Sequence, residues 1–160
     1  MAINIGGNGK PGRAILSNFP PAPFEIDGVK CASTEGPIQA VKFKDPEMQR
    51  HVCTLVGRKA KFKGKKANKR VRRTGKVWWQ GREMDFRSKE HFKLIERFLR
   101  AKFTQYGPAR RALLATGNAT LTHNLGHKES PHTSLPAAVF IRMLYKIRRE
   151  LQEEEAQKLK

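Results

Sequence analysis

SKEHFKLIERFLRAKFTQY, residues 88–106, carries its apolar residues at helical spacing. Phe92, Ile95, Leu99 and Phe103 fall three or four positions apart, with Leu94 and Phe98 beside them. One wide stripe of this helix is therefore apolar and the remainder charged. Ser88 is a suitable N-cap. Such a helix needs a partner surface, and the end of the chain offers one. Pro136 opens a second helix in which Val139, Phe140, Met143, Leu144, Ile147 and Leu151 form the same kind of stripe. Between them, Gly107-Pro108 restarts a short helix, ARRALLAT, that Gly117 stops.

Upstream the chain is more broken. Pro20, Pro21 and Pro23 bar a helix, and FEIDGVK reads as a hairpin turning at Asp27-Gly28. A helix is expected from about Glu35 to Phe43, with Thr34 as N-cap and Pro37 in its first turn. Asp45 caps another, with Pro46 at its first position, running to about Val56. The basic stretch 57–73 has room for a short helix, and VWWQGREMDF (77–86) reads as a hairpin turning at Gln80-Gly81. The expected fold class is mainly α with small β hairpins (α+β), in one domain over residues 14–152. Residues 1–13 are expected to be loosely ordered and 153–160 to be a frayed polar tail.

Composition narrows the function. The chain has 160 residues, enough for one core, with 33 lysines and arginines against 14 acids and a net charge of +19. Ten of those cations fall in the sixteen residues RKAKFKGKKANKRVRR, 58–73. That density attracts phosphates, so Lys61, Lys63, Lys65, Lys66, Lys69, Arg70, Arg72 and Arg73 are expected to bind nucleic acid. No stretch reaches membrane-span length and MAINIGGNGK has no apolar signal core, which leads to the expectation of a cytoplasmic protein without membrane partners. Cys31 and Cys53 imply no disulfide framework. GNGKPG (7–12) has the spacing of a dinucleotide fingerprint, but Pro11 and the prolines beyond leave no helix to receive a pyrophosphate. No cofactor is expected.

Among the few acids, Glu35 is unusual in preceding Gly36-Pro37 at a helix start. Residues seven apart on a helix differ by about 20° around its axis and lie roughly 10 Å apart along it. Glu35, Gln39 and Lys42 thus share a face. At the first turn Glu35 is expected to stay ionised, and neighbouring cations are expected to lower the Lys42 pKa. An amine beside a carboxylate suits glycosidic chemistry; a solvent-exposed Glu–Lys pair is the plainer alternative. His123, His127 and His132 with Glu129 fall in a loop broken by Gly126 and Pro131, a poor frame for a metal. No metal is expected, and His123 is a candidate proton donor to a leaving group. Strand alternation would bury one of Trp78 and Trp79 and expose the other; with Trp79 outward, it would stack on a base. The alternative places both in the core.

LSNFPPAPFEIDGV (16–29), STEGPIQAVKF (33–43), LRAKFTQ (99–105) and ALLATGNATL (112–121) together resemble the NADAR (YbiA-like) family. The resemblance implies a mainly helical fold and cleavage of the bond between a ribose carbon and a base nitrogen. Members of that family act on ribosylated intermediates of riboflavin synthesis or on ADP-ribose attached to guanine. By position, Glu35 matches the active-site glutamate, Lys42 the lysine that attacks ribose C1″, and Asn18 the substrate-positioning asparagine. Phe19, Gln39, Arg58, Trp79, His123 and Glu129 complete the expected substrate site. The chain departs from the family pattern at Gly36, where a histidine is usual, and at His123, which stands in place of a later glutamate. The expected activity is removal of ADP-ribose from guanine in nucleic acid. The alternatives are a glycosidase of riboflavin intermediates and a non-catalytic nucleic-acid-binding protein.

Overall fold

A computed structural model describes residues 2–6 and 12–160. Among them are strands β1 (Ala2–Asn4), β2 (Phe24–Ile26), β3 (Val29–Cys31), β4 (Lys76–Trp79), β5 (Arg82–Asp85) and β6 (Thr120–Thr122). The helices are α1 (Glu35–Ala40), α2 (Pro46–Cys53), α3 (Gly57–Lys65), α4 (Asn68–Thr74), α5 (Lys89–Gln105), α6 (Gly107–Ala115) and α7 (Ala137–Lys158). The mainly helical α+β expectation is met.

Helix α5 is the spine of the core. Ile95, Phe98, Leu99 and Phe103 are completely buried, packed with Phe140, Leu144, Ile147 and Leu151 of α7. Each such side chain contributes roughly 1.5–3 kcal/mol of burial. The Ser88 hydroxyl accepts the His91 amide at 3.1 Å, as its N-cap position requires. Both hairpins turn where local sequence places them. β2 and β3 pair antiparallel with Ile26 opposite Val29, and β4 and β5 with Trp79 opposite Arg82. Asp27 and Gln80 adopt positive φ of 51° and 49° at the two turns.

Several expectations are corrected. Ala2–Asn4 is not loose: it pairs in parallel with Thr120–Thr122, bringing together two segments far apart in the chain that no local pattern links. Residues 7–11 of the Gly-rich stretch lie outside the described residues. The tail stays helical to Lys158, helped by Arg110, whose guanidinium bridges Glu154 and Glu155 at 2.8 and 3.0 Å. α2 ends at Cys53 rather than near Val56, and the basic stretch folds as two helices, α3 and α4. Trp78 and Trp79 are both buried, at 7% and 6% exposure. Strand β4 is covered on both faces, since α4 packs against it and Trp79 sets its ring edge-on to Phe98 of α5. Cys31 and Cys53 are free and buried. Among the described residues no helix is long and apolar enough to cross a membrane.

Candidate functional site

The first turn of α1 is built by a neighbouring loop rather than by Thr34. The Thr34 hydroxyl donates to Asn18 Oδ1 at 2.7 Å, and the Asn18 carbonyl accepts the Glu35 amide at 3.0 Å. Ser33 Oγ takes the Gly36 amide at 3.3 Å, doing the capping expected of Thr34. Gly36 faces α2 so closely that a Cβ there would lie 3.0 Å from the Val52 carbonyl oxygen. The usual histidine of the resembled family has no room in this packing.

α1 ends at Ala40, short of the expected Phe43. Val41 and Lys42 continue as a tighter turn, with the Lys42 amide donating to the Gln39 carbonyl at 3.1 Å. The turn keeps Lys42 on the side of Glu35 and Gln39, and all three line one cavity of about 430 Å³. That size suits a small ligand. Glu35, Gln39 and Lys42 are buried to 7%, 8% and 3% exposure, so the solvent-exposed pair is not what forms. Gln39 Nε2 donates to Glu35 Oε1 at 2.9 Å, and Lys42 Nζ donates to Asn68 Oδ1 at 2.7 Å.

Burial opposes the expected ionisation of Glu35. Removal from water raises its pKa, more than the Gln39 hydrogen bond and the Lys42 and Lys61 charges lower it. The helix-start dipole is not the deciding influence. Lys42 moves in the expected direction but for a different leading reason. Burial pulls it down to about 8, Glu35 raises it, and Lys61 lowers it further. Both members of the pair are thereby shifted toward their neutral forms.

Of the expected substrate residues, Asn18, Phe19, Gln39, His123 and Glu129 line the same cavity as Glu35 and Lys42. Arg58 and Trp79 do not. Arg58 is exposed away from the cavity. Trp79 Nε1 donates to Asp27 Oδ2 at 2.8 Å, which commits that side chain to the core. His123 Nδ1 lies 2.8 Å from the Ile5 carbonyl oxygen and must carry a proton there, and its ring sits edge-on to Phe140. The Glu129 carboxylate accepts the Ala137 amide at 2.8 Å and so caps α7. Among the described residues no group of three or more His, Cys, Asp or Glu could hold a metal.

The basic residues divide. Lys61 and Lys65, one turn apart on α3, reach the cavity wall. Lys63 is half-buried, while Lys66, Lys69, Arg72 and Arg73 are exposed on the α3–α4 surface. Arg70 serves the fold: its guanidinium donates to the Lys42 carbonyl at 2.8 Å and lies 5.6 Å from the Phe43 ring centre.

Three residues of the site have no sequence signal of their own. Asn68, which holds the Lys42 amine, stands in the middle of the basic stretch. Ser134 lies on the cavity wall, 3% exposed, with its hydroxyl unpartnered. Lys102 is completely buried with no carboxylate beside it; its ammonium donates to the Ser17 carbonyl at 2.7 Å and is pulled down to about 7 by burial. Ser17 precedes Asn18, so Lys102 anchors the loop that caps Glu35.

Comparison with known proteins agrees with this architecture. The NMR structure of YbiA from E. coli superposes with a TM-score of 0.64 at 21% identity, covering 98% of this chain and 88% of that one. The two share a fold. An Enterobacteria phage T4 protein, described as an uncharacterized 17.1 kDa protein in the Gp30-rIII intergenic region, is 36% identical over 66 residues. That match spans 41% of this chain and 43% of the phage protein, less than half of either. The family model described as Bacteriophage protein GP30.3 matches residues 12–149, nearly the whole domain including Asn18, Glu35, Lys42 and His123. With a YbiA-like fold and that match, the chain belongs to the bacteriophage protein GP30.3 family.

Proposed function

We propose that the protein is an N-glycosidase of the NADAR type, which removes ADP-ribose from guanine in nucleic acid by hydrolysing the ribose–base bond. The observation that carries this reading is the buried Lys42, brought down to about 8, on a cavity wall shared with the buried carboxyl of Glu35. A lysine with that pKa is about one-tenth free amine at pH 7, several hundred times more than an exposed one. The amine is the nucleophile.

The steps balance without a cofactor. The Lys42 nitrogen attacks ribose C1″ as the C1″–N bond breaks, and its electron pair leaves with the base, which takes a proton. His123 is the donor in this reading, since its Nδ1 proton is held by Ile5 and leaves Nε2 to exchange the second proton. The lysine nitrogen then loses a proton and forms a C=N bond as the sugar ring opens, with Glu35 delivering a proton to the ring oxygen. Water adds to the imine, the C–N bond breaks, and the sugar closes again. Lys42 returns as the amine. The net change is substrate plus water to ADP-ribose plus base.

The surrounding residues suit that substrate. Lys61 and Lys65 present two ammonium groups one turn apart, fitting a diphosphate. Phe19 is 37% exposed on the cavity wall, a surface on which a base can stack. Asn18 is locked through its Oδ1 and carbonyl, leaving its amide to meet the sugar.

The test is turnover of ADP-ribosylated DNA alongside ribosylaminouracil phosphates, with borohydride added to trap the imine. ADP-ribose release, and an adduct on the peptide containing Lys42, are expected. Lys42→Arg keeps the charge but cannot attack, because guanidinium stays protonated, and should lose both signals. Preferential turnover of the aminouracil compounds would move the substrate to riboflavin intermediates. Wild-type turnover in Lys42→Arg would remove the lysine from the chemistry, and no turnover of either class would leave a binding protein.

A further inference from the structure

A second cavity, of about 410 Å³, opens between α5 and α7 and shares no residue with the first. Its walls are cationic rails. Lys89 and Lys93 stand one turn apart on α5, and Arg142 and Lys146 one turn apart on α7. Half-buried Phe92 and buried Met143 lie between them as an apolar floor. Arg97 and Arg100 continue the α5 wall, so the cavity has six cations and a single carboxylate, Glu96.

Half of those cations already have internal partners. Arg97 pairs with Asp27 at 2.6 Å. Arg100 pairs with Glu150 at 2.8 Å and with Glu96 at 3.0 Å, and Lys146 reaches the same Glu96 at 3.1 Å. The Arg100–Glu150 and Lys146–Glu96 bridges join α5 to α7 across the groove. Lys89, Lys93 and Arg142 form no ion pair among the described residues, and all three are exposed. Like charges gathered without carboxylates to pair them repel, and a polyanion that binds there relieves the repulsion while releasing its own condensed counter-ions.

We propose that this groove is a second nucleic-acid-binding site, in which a single strand lays its phosphodiester backbone along Lys89, Lys93 and Arg142 and sets a base on Phe92. Charge complementarity selects a polyanion. The apolar floor between the rails selects a strand with exposed bases over an acidic peptide, since every base has a face that stacks on an aromatic ring. The i, i+4 spacing places successive ammonium groups on α5 about 6 Å apart, a repeat that tracks an extended backbone. The groove is open, as a strand that must enter and leave requires. The proposal does not depend on the glycosidase reading, because the groove contains none of that chemistry.

The test uses the full chain and an unmodified fluorescein-labelled single-stranded oligonucleotide, with anisotropy followed across a range of salt. Three phosphate contacts contribute about 2 to the slope of log K against log salt, at roughly 0.7 per contact. The Lys89→Ser, Lys93→Ser, Arg142→Ser triple variant should lose that amount. A Lys93→Gln, Arg142→Gln double variant, which alters less of the surface, should lose about 1.4. Phe92→Leu should weaken binding about tenfold without changing the slope, which separates stacking from charge. An unchanged slope in both charge variants would overturn the proposal whatever the turnover assay gives. So would polyglutamate binding as tightly as the oligonucleotide with the same loss in the triple variant, because the occupant would then be an acidic polypeptide.

Discussion

Gly64 is where helix packing and the candidate site meet, and Gly64→Ala tests that junction. The glycine lies on α3 against Gln39 of α1, and a Cβ would fall 2.6 Å from Gln39 Cδ and 2.8 Å from Gln39 Cβ, overlapping Oε1 as well. Gln39 has little freedom to yield: it is 8% exposed and its Nε2 donates to Glu35 Oε1 at 2.9 Å. Overpacking of this kind costs about 1–3 kcal/mol, and breaking the Gln39–Glu35 bond costs about 1 kcal/mol more. Alanine returns roughly 1 kcal/mol in helix propensity. The clash wins, with a net loss of about 1–3 kcal/mol, or roughly 2–4 °C in Tm per kcal/mol for a domain of this size. Urea unfolding with an unchanged m-value measures it. Gln39→Gly removes the whole obstruction, Cβ included, so Gly64→Ala with Gln39→Gly should be more stable than the sum of the single changes by at least about 1 kcal/mol. If the two changes add within about 0.5 kcal/mol, the contact is not the source of the loss and the reasoning fails.

Turnover, expressed as kcat/KM, should rise with pH toward about 8 as Lys42 reaches its amine form; Lys61→Ala removes a cation that lowers Lys42 and should shift the rising limb to higher pH. A pH profile identical in the variant would show that Lys61 does not influence Lys42. His91 is wholly buried, accepts the Arg87 amide on Nδ1 at 2.9 Å, and is held down to about 4 by burial, then by Lys42 and Arg87. The unfolded chain therefore binds the extra proton first, and stability should fall as pH drops from about 6.5 to 4, by roughly 3 kcal/mol in all. His91→Gln should flatten that window in acid denaturation curves, and an unchanged curve would assign the acid sensitivity elsewhere. Lys102→Met removes a buried cation whose folded pKa is about 7, so stability at pH 7 should increase by about 2 kcal/mol after the lost Ser17 bond is counted, with the gain disappearing as pH rises from 7 through 10.5. The same variant should turn over about tenfold more slowly because the Asn18 loop loses its anchor; unchanged stability and rate together would refute the role given to Lys102.

The sequence by itself determined the local elements of this protein. The α5 and α7 stripes, the Ser88 and Asp45 caps, and the turns at Asp27-Gly28 and Gln80-Gly81 depend on residues within a few positions of one another. Side-chain period and turn chemistry are therefore sufficient to read them. Glu35, Gln39 and Lys42 were legible together for the same reason, since one helical turn and the next place them side by side. Tertiary structure alone decided the rest. It paired Ala2–Asn4 with Thr120–Thr122, brought Asn68 to the Lys42 amine, set Lys102 under Ser17, and returned Trp79 to the core. These contacts join residues between 26 and 118 positions apart, and no period in the chain encodes such closures. The upward pKa shift of Glu35 belongs with them. A dipole at a helix start can be read from sequence, but the removal of water that outweighs it exists only once α1, α3 and the Asn18 loop have closed around the carboxyl.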